Sequence, residues 1–363
     1  MNSNHIGILE AITPSTIGGA EVYVAGLCGL LPELGARVEL FCPKDRPFVG
    51  YALANGITCV GWKTRGKVDP VTVLRFARLI RKTEADVIHT HLSTAGLLGS
   101  LAARLAGVPS VAHVHGLNTA TCYRRASAII AVSEAVKAHL VGQGIDEKRI
   151  RVIHNGIDLS RFELVRANDA RRRLGYDAET PLFGVFGRLS TEKGQQVALE
   201  AMSLLPRDHP EARLLIVGNG GDLRPLQSRA GNLGITDRVE FLGFARDVRQ
   251  LMSACDAVIA PSLKEGLGLS ALEAMALGRP VVASAVGGLT EVVVPGETGF
   301  TVAPNDPAAI AESLKNLIED KALADRMGAL GRKRVEEHFD LAKQARDLLA
   351  ALREIVESFN HHN

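Results

Sequence analysis

The sequence predicts an α/β protein built from two successive doubly wound domains, each with a mostly parallel sheet covered by helices. Short apolar runs alternate with longer stretches of helical periodicity, and this alternation restarts after a polar, arginine-rich stretch at residues 155–176. A length of 363 residues also exceeds that of one typical domain. We therefore predict a domain at 1–165 and another at 166–340, with a last helix at about 341–360 that packs back on the first domain.

In the first half, apolar runs predict strands and amphipathic stretches predict helices. The predicted strands are 6–12, 37–42, 86–90, 110–115, 128–132 and 150–154. The predicted helices are 20–34, 71–82, 94–106 and 134–141, the first of which follows Gly18-Gly19 and ends at Gly35. Strand–helix–strand units of this kind place successive strands parallel in one sheet.

The second half repeats the pattern. Its predicted strands are 181–187, 213–218, 239–243, 257–261 and 280–284, and its predicted helices are 195–205, 223–233 and 269–277. The tail at 307–358 has almost continuous helical character, with a break near Phe339. In open parallel sheets ligands bind outside the carboxyl ends of the strands, so we expect the site there.

Composition excludes several classes of protein. A net charge of +2 does not favour an electrostatic nucleic-acid binder. Five dispersed cysteines without a CxxC pair argue against a disulfide framework and a zinc site. We find no secretory leader and no apolar stretch long enough to span a membrane, so a cytoplasmic location is expected, with peripheral contact at the inner face of the cell membrane left open.

The segment from Pro261 to Met275 is the most informative one. A strand ends at Pro261, a loop with Gly266 and Gly268 follows, and a helix begins near Leu269. The free N–H groups of a helix start suit a diphosphate, and glycines permit its close approach. Glu265 on the loop and Glu273 one helical turn on are candidates for binding sugar and ribose hydroxyls; the alternative is a solvated pair of glutamates around an ordinary helix cap.

A second segment follows the strand predicted at 181–187. Arg188 and Lys193 are two cations at a strand end, where they can neutralise a leaving diphosphate in place of a metal. The alternative is a solvent-facing loop, in which such residues are common.

These segments together resemble the GT4 family of retaining glycosyltransferases, which have the GT-B fold of two Rossmann-like domains facing a central cleft. Gly18-Gly19-Ala20-Glu21 is similar to the N-terminal loop of the family, and Glu265 and Glu273 match its paired glutamates. Arg188 and Lys193 lie in a GRL-x-x-x-KG-like segment, and the run from His154 to Asp158 matches the interdomain turn.

The resemblance implies a role for each matching residue. Arg188 and Lys193 would hold the donor diphosphate, Glu273 the ribose, and Glu265 the transferred sugar together with the backbone of Gly266, Gly268 and Leu269. Gly19 would approach the donor phosphate or the acceptor. The catalytic set would be His115, Glu265, Arg188 and Lys193, with His115 facing the donor sugar.

The histidines of the first half leave alternatives open. His115 alone is as well explained as a structural histidine, and we interpret His89 and His113 as structural. His91, Gly18 and Glu21 are candidates for acceptor binding. The stretch between His115 and Ser133 is shorter than is common in the family, which predicts a smaller or more open acceptor cleft. Zinc ligation by the HxH pairs lacks a completing cysteine or DxD pair, so no metal and no cofactor is expected.

The resulting prediction is a retaining, metal-independent glycosyltransferase. It would use a UDP-, GDP- or ADP-sugar and a glycan or glycolipid acceptor, as in the synthesis of cell-envelope polysaccharide or lipopolysaccharide. The alternatives are a GT-B nucleotide-sugar epimerase and a non-catalytic nucleotide-sugar-binding subunit at a membrane.

A basic region at 63–82 suggests a further contact. It contains Lys63, Arg65, Lys67, Arg75, Arg78, Arg81 and Lys82. Arg75, Arg78 and Lys82 share one helical face, which predicts contact with anionic lipid headgroups or an anionic acceptor. The alternative is a solvated helix face over a normal core.

Overall fold

The chain forms two compact α/β units in a computed structural model that describes residues 5–66, 69–205, 209, 211–245 and 247–361. The first unit comprises the residues up to Gly156 together with those from Leu341 onward, and the second comprises Ile157–Asp340. The predicted fold class, two doubly wound α/β units, is confirmed.

The first unit alternates strands and helices. Its strands are β1 (Ile6–Ile12), β2 (Ala36–Phe41), β3 (Val87–His91), β4 (Ser110–Val114), β5 (Ala128–Ala131) and β6 (Ile150–Val152). Its helices up to Gly156 are α1 (Gly19–Glu33), α2 (Pro47–Ala54), α3 (Pro70–Lys82), α4 (Ser93–Ala106) and α5 (Glu134–Gly142).

All strand pairs of the first sheet are parallel, in the order β2-β1-β3-β4-β5-β6. Every residue of β1 is buried, because helices cover both faces of the sheet. Neighbouring residues point to opposite faces: Ile8 packs with Leu27 of α1, whereas Leu9 packs with Phe76 of α3 and Leu98 of α4.

The second unit has the same architecture. Its strands are β7 (Leu182–Phe186), β8 (Arg213–Val217), β9 (Val239–Gly243), β10 (Ala257–Ala260), β11 (Val281–Ser284) and β12 (Gly299–Val302). Its helices are α6 (Ala167–Leu174), α7 (Gln195–Leu204), α8 (Leu223–Asn232), α9 (Arg249–Ala254), α10 (Leu269–Ala276), α11 (Leu289–Val292), α12 (Pro307–Glu319) and α13 (Lys321–His338). The parallel sheet has the order β9-β8-β7-β10-β11-β12.

The last helix, α14 (Leu341–His361), belongs to the first unit. Leu348 and Leu352 of α14 share one buried cluster with Leu27 and Leu31 of α1. A Cβ on Gly26 would lie 2.7 Å from the Leu341 side chain, so the two helices approach closely there.

The boundary between the units falls after Gly156, not after residue 165 as predicted. Residues 157–165 are held by the second unit: the Ile157 amide donates to the Phe339 carbonyl at 2.7 Å, and Arg332 donates to the Phe162 carbonyl at 2.6 Å. Contacts of this kind leave no trace in a local sequence pattern.

The polar stretch predicted as a linker contains helix α6. Arg171 in this helix is buried, donates to the Ala254 carbonyl at 2.8 Å and pairs with Asp256 at 2.6 Å. An arginine-rich sequence therefore forms a packed helix because its charge is paired inside the unit. The short elements α2, α9, α11 and β12 were not predicted from the sequence.

In the part of the chain that the structure describes, we find no helix with the length and apolar character that crossing a bilayer requires.

Candidate functional site

The second sheet changes direction between β7 and β10, which are adjacent parallel strands. From β7 the chain continues outward to β8 and β9 on one side, and from β10 to β11 and β12 on the other. The carboxyl ends of β7 and β10 therefore form the switch point of the sheet, which is where doubly wound sheets bind ligands. The loops after β7 and β10 carry Arg188, Lys193 and Glu265.

The two loops are joined by backbone contacts. The amides of Leu263 and Lys264 donate to the Glu192 carbonyl at 2.8 and 3.2 Å. Gly194 has a φ of +67°, and a Cβ there would lie 1.9 Å from the Pro261 carbonyl oxygen. A glycine is therefore required at this position both for backbone conformation and for the close approach of the two loops.

Lys193 and Glu265 meet across this junction. Lys193 Nζ lies 2.6 Å from Glu265 Oε2, and the two side chains are 28% and 13% exposed. Ser262 Oγ donates to the same carboxylate oxygen at 3.0 Å, and the Gly266 amide donates to Oε1 at 3.2 Å. The structure therefore brings together one predicted cation and one predicted carboxylate, and orients the carboxylate with two further donors.

Arg188 lies at the start of the β7 loop, and its side chain is 64% exposed. Its guanidinium is 3.6 Å from Glu192, a weak surface contact. Gln195 Nε2 donates to the Arg188 carbonyl at 2.9 Å, so the backbone is fixed while the guanidinium remains accessible to a ligand.

Helix α10 begins beside this loop. Gly268 precedes its first residue, Leu269, and has a φ of +101°. Cβ atoms on Gly287 and Gly288 would lie 1.9 Å from the Glu265 carbonyl oxygen and 2.4 Å from that of Gly266. The loop after β11 therefore packs directly against the backbone of the predicted donor loop.

Glu273 lies in α10 and is half-buried. Burial raises the pKa of its carboxyl to about 7, against the opposing effect of Arg161, which lowers it. A carboxyl that titrates near neutral pH at such a position is typical of functional sites.

In the first unit, Gly18 and Gly19 lie where α1 begins. Glu21 is buried, and its Oε2 accepts a hydrogen bond from the Gly18 amide at 2.9 Å. This is the reciprocal half of a capping box, so Glu21 also has a structural reason to be an acid.

The histidines at the carboxyl ends of β3 and β4 converge on a buried acid that the sequence analysis did not single out. Glu10 of β1 has no exposed surface. Its Oε2 lies 2.8 Å from His91 Nε2, and His91 Nδ1 lies 2.9 Å from His115 Nε2. His115 Nδ1 is in turn 3.1 Å from the amide nitrogen of Asn155.

A second chain of contacts begins at the other oxygen of Glu10. Oε1 lies 2.9 Å from His89 Nδ1, and His89 Nε2 lies 3.2 Å from His113 Nδ1. His89 and His113 are fully buried, as their structural interpretation requires. His91 has no exposed surface and both its ring nitrogens are engaged, so the direct acceptor contact predicted for it is not available in this structure.

The sequence contained signals for some of the residues that were missed. Glu10 is a lone acid inside the apolar strand IGILEAI, and buried acids require partners. Gly287-Gly288 after β11 is a further glycine pair at a strand end. Neither signal identifies the contact partner, which only the fold supplies.

Two doubly wound units, each with a six-stranded parallel sheet, are the fold of GT-B glycosyltransferases, and the candidate site at the switch point of the second unit agrees with this class. Family models match nearly the whole chain: Glycosyltransferase Family 4 over residues 17–161 and Glycosyl transferases group 1 over residues 167–334. The chain belongs to this family of glycosyltransferases.

Individual relatives agree with this assignment. The D-inositol 3-phosphate glycosyltransferase of Stackebrandtia nassauensis is 30% identical, over 98% of this chain and 91% of that protein. The UDP-Gal:alpha-D-GlcNAc-diphosphoundecaprenol alpha-1,3-galactosyltransferase of Escherichia coli is 27% identical, over 87% and 88% of the two chains. The crystal structure of Anabaena Alr3699/HepE in complex with UDP-glucose has a TM-score of 0.88 and 27% identity, over 96% of this chain and 100% of that one.

Proposed function

We propose that this glycosyltransferase moves a hexose-type sugar from a UDP-sugar to a glycan or glycolipid acceptor, with retention of anomeric configuration and without a metal ion. The observation that carries the proposal is the contact of Lys193 with Glu265, 2.6 Å apart where the loops after β7 and β10 meet. A cation for the leaving diphosphate and a carboxylate for the sugar are thus adjacent at the switch point.

The diphosphate would lie against Arg188 and Lys193. The accessible Arg188 guanidinium offers paired N–H donors to phosphate oxygens, and the Lys193 ammonium offers a compact charge. Together with the backbone N–H groups at the start of α10, near Gly266, Gly268 and Leu269, they would stabilise the charge that develops on the leaving group.

The two glutamates would hold the two sugars of the donor. Glu265 would accept hydrogen bonds from hydroxyls of the transferred sugar, and Ser262 and the Gly266 amide keep its carboxylate in place. Glu273, as a carboxylate, would accept hydrogen bonds from both hydroxyls of the ribose. Since burial raises its pKa to about 7, we expect donor binding to favour the ionised form and to release a proton below that pH.

Transfer with retention needs no protein nucleophile in this scheme. The leaving phosphate takes the proton of the acceptor hydroxyl while the acceptor attacks from the same face, and the enzyme contributes positioning and charge stabilisation. Gly19 and His115 are the proposed contributions of the first unit, which would also bind the acceptor.

Two similarities support a uridine nucleotide and an envelope acceptor. Anabaena Alr3699/HepE binds UDP-glucose, and the Escherichia coli relative is named for UDP-Gal and a diphosphoundecaprenol-linked acceptor. We therefore propose an acceptor of the cell envelope and, with the cytoplasmic location that the sequence predicts, a reaction at the cytoplasmic side of that envelope.

A thermal-shift screen against UDP-, GDP- and ADP-sugars, with and without EDTA, tests the donor. A ligand at one hundred times its Kd adds about 2.7 kcal/mol to the free energy of unfolding. We expect stabilisation by UDP-glucose or UDP-galactose that EDTA does not remove. NMR of the product then gives its anomeric configuration, and an inverted product contradicts the retaining mechanism.

Lys193→Ala and Lys264→Ala form a matched pair for the site itself. Both remove one lysine, but Lys264 is exposed on the same junction and lies outside the proposed donor site. We expect UDP affinity to fall in Lys193→Ala alone. Conversion of the donor sugar in the absence of any acceptor would identify an epimerase. Binding of the donor with neither sugar transfer nor slow hydrolysis of the donor would identify a binding subunit.

We further propose that α3 contacts anionic lipid headgroups. Arg75, Arg78 and Lys82 are exposed along one face, and Val71 and Leu74 on that same face are 50% and 51% exposed. The core side of α3 is formed by Thr72, Phe76, Ala77 and Ile80. Among the other basic residues of the region, Lys67 lies outside the described residues.

Exposed apolar side chains among cations are typical of helices that lie on membrane surfaces. Sedimentation with liposomes tests this, using vesicles with and without an anionic lipid. Replacing Arg75, Arg78 and Lys82 by Gln is expected to abolish binding to anionic vesicles, while Leu74→Gln weakens it without removing its dependence on anionic lipid. Unchanged binding of the triple variant excludes this surface.

A further inference from the structure

Glu10 accepts hydrogen bonds from two histidines, and these bonds determine which ring nitrogens of the buried histidine network carry a hydrogen. Burial alone would raise the pKa of the Glu10 carboxyl, but the electrostatic interaction with His89 and the hydrogen bonds from His89 and His91 outweigh this effect and lower the pKa to about 2. An ionised carboxylate has acceptors only. The nitrogens that face it, His89 Nδ1 and His91 Nε2, must each carry a hydrogen.

The hydrogen on His91 Nε2 in turn determines which nitrogen of His115 carries a hydrogen. Burial, together with His89, lowers the pKa of His91 to about 4, so at neutral pH its Nδ1 is bare. A bare nitrogen accepts, and His115 Nε2, at 2.9 Å, must therefore donate to it. Burial and His91 also hold the pKa of His115 well below its usual range, so His115 Nδ1 is bare and accepts from the Asn155 amide nitrogen.

We propose that Glu10, His91 and Asn155 are positioning residues that hold His115 as one neutral tautomer, with a hydrogen on Nε2 and none on Nδ1. The inference rests on the proposed function only in giving His115 a place in the transferase site. Both ring nitrogens of His115 are then engaged inside the first unit, so His115 carries no proton to or from the reacting atoms. Its contribution is the placement of its ring and of the turn to Gly116.

The second arm of the network extends the proposal. A single hydrogen on each ring of this arm places one on His89 Nδ1, where it faces Glu10, and one on His113 Nδ1, which then donates to His89 Nε2. The proposal thus predicts Nδ1–H tautomers for His89 and His113 and Nε2–H tautomers for His91 and His115.

Long-range ¹H–¹⁵N spectra of the unliganded, ¹⁵N-histidine-labelled protein at neutral pH test this directly, because protonated and bare ring nitrogens resonate in separate ranges. Single His→Phe variants assign the four rings. The expected result is two rings of each tautomer, with His115 in the Nε2–H form. A doubly protonated His115, or an Nδ1–H tautomer there, overturns the proposal.

Glu10→Gln is the matched variant, because it keeps the shape and replaces one acceptor oxygen by a donor. An isosteric amide in place of an orienting carboxylate can reverse a histidine tautomer while leaving the geometry intact. Since the amide satisfies only one donor histidine, one arm must reverse: all four rings become Nε2–H if it is the His89 arm, and all four become Nδ1–H if it is the His91 arm. Either result supports the assignment, and an unchanged spectrum refutes it.

Two further measurements separate this proposal from its rivals. One nitrogen from each of His89, His91 and His113 lies within 4.8 Å of the others, so these residues are also a candidate metal group. Stoichiometric zinc in the purified protein, released by chelators with a change in these resonances, overturns the hydrogen-bonded network. Because the spectra need no substrate, failure of the transferase assay leaves this test intact, and failure of this test leaves the proposed transfer reaction intact.

Discussion

Gly194 sets the separation of the loops that carry Lys193 and Glu265, and its replacement by alanine should disable transfer. A Cβ at this position would lie 1.9 Å from the Pro261 carbonyl oxygen, a contact that has to open to at least 3.0 Å. The loops must therefore separate by about 1 Å, which breaks the 2.6 Å contact between Lys193 and Glu265. Since a misplacement of about 1 Å can cost about 100-fold in rate, we expect kcat/KM of Gly194→Ala to fall by about that factor.

Gly175→Ala is the matched control. Gly175 has a φ of +80°, close to the +67° of Gly194, but no atom lies within 4 Å of a Cβ placed on it. Both variants incur the left-handed strain of about 1–2 kcal/mol, measurable by urea unfolding, but only Gly194→Ala should lose transfer. The assay is UDP release from UDP-glucose with acceptor present. Equal kcat/KM in the two variants would refute the argument that the loop separation sets the site.

Three other changes have defined outcomes. Burial raises the pKa of Glu273 from 4.5 to about 7, so folding takes up a proton between these pH values and the free energy of unfolding falls as pH rises through this range. Glu273→Gln should remove this pH dependence, which is worth at most about 3 kcal/mol. Urea unfolding at several pH values across the range measures it. Burial lowers the pKa of His91 from 6.5 to about 4, so the contribution of the neutral His91 to the free energy of unfolding is complete above pH 6.5 and is lost as pH falls toward 4. His91→Phe should therefore make the free energy of unfolding depend less steeply on pH between 6.5 and 4. Glu265→Gln should lower kcat about 100-fold without weakening the binding of UDP, which lacks the transferred sugar; an equal loss of UDP affinity contradicts the role given to Glu265.

The fold was predictable where burial repeats along the chain. β1 was predicted with its observed bounds, because all seven residues of Ile6–Ile12 are buried and six of them are apolar. β12 and α11 span only four residues each, too few for a period to emerge. Helix α6 was hidden by its charges, since the ion pair that buries Arg171 is made with Asp256, far along the chain.

The candidate site was predictable as a set of loops but not as a set of contacts. Arg188, Lys193, Glu265 and Glu273 follow strand ends in order, a pattern visible in the sequence. The pairing of Lys193 with Glu265 requires β7 and β10 to be neighbours, although β8 and β9 separate them along the chain. Glu10 escaped prediction for a related reason, since its histidine partners come from β3, which is not the next strand in sequence.

The structure holds the charges of the site in a different arrangement from the one that the proposed transfer requires. Lys193 is neutralised by Glu265, and Glu273 is half titrated near neutral pH because burial raises its pKa to about 7. In the proposed reaction the diphosphate replaces Glu265 as the partner of Lys193, which frees the Glu265 carboxylate for sugar hydroxyls. Donor binding thus exchanges one anion for another at Lys193 and needs additional positive charge only from the accessible Arg188. This exchange is the physical basis for proposing that no metal ion takes part.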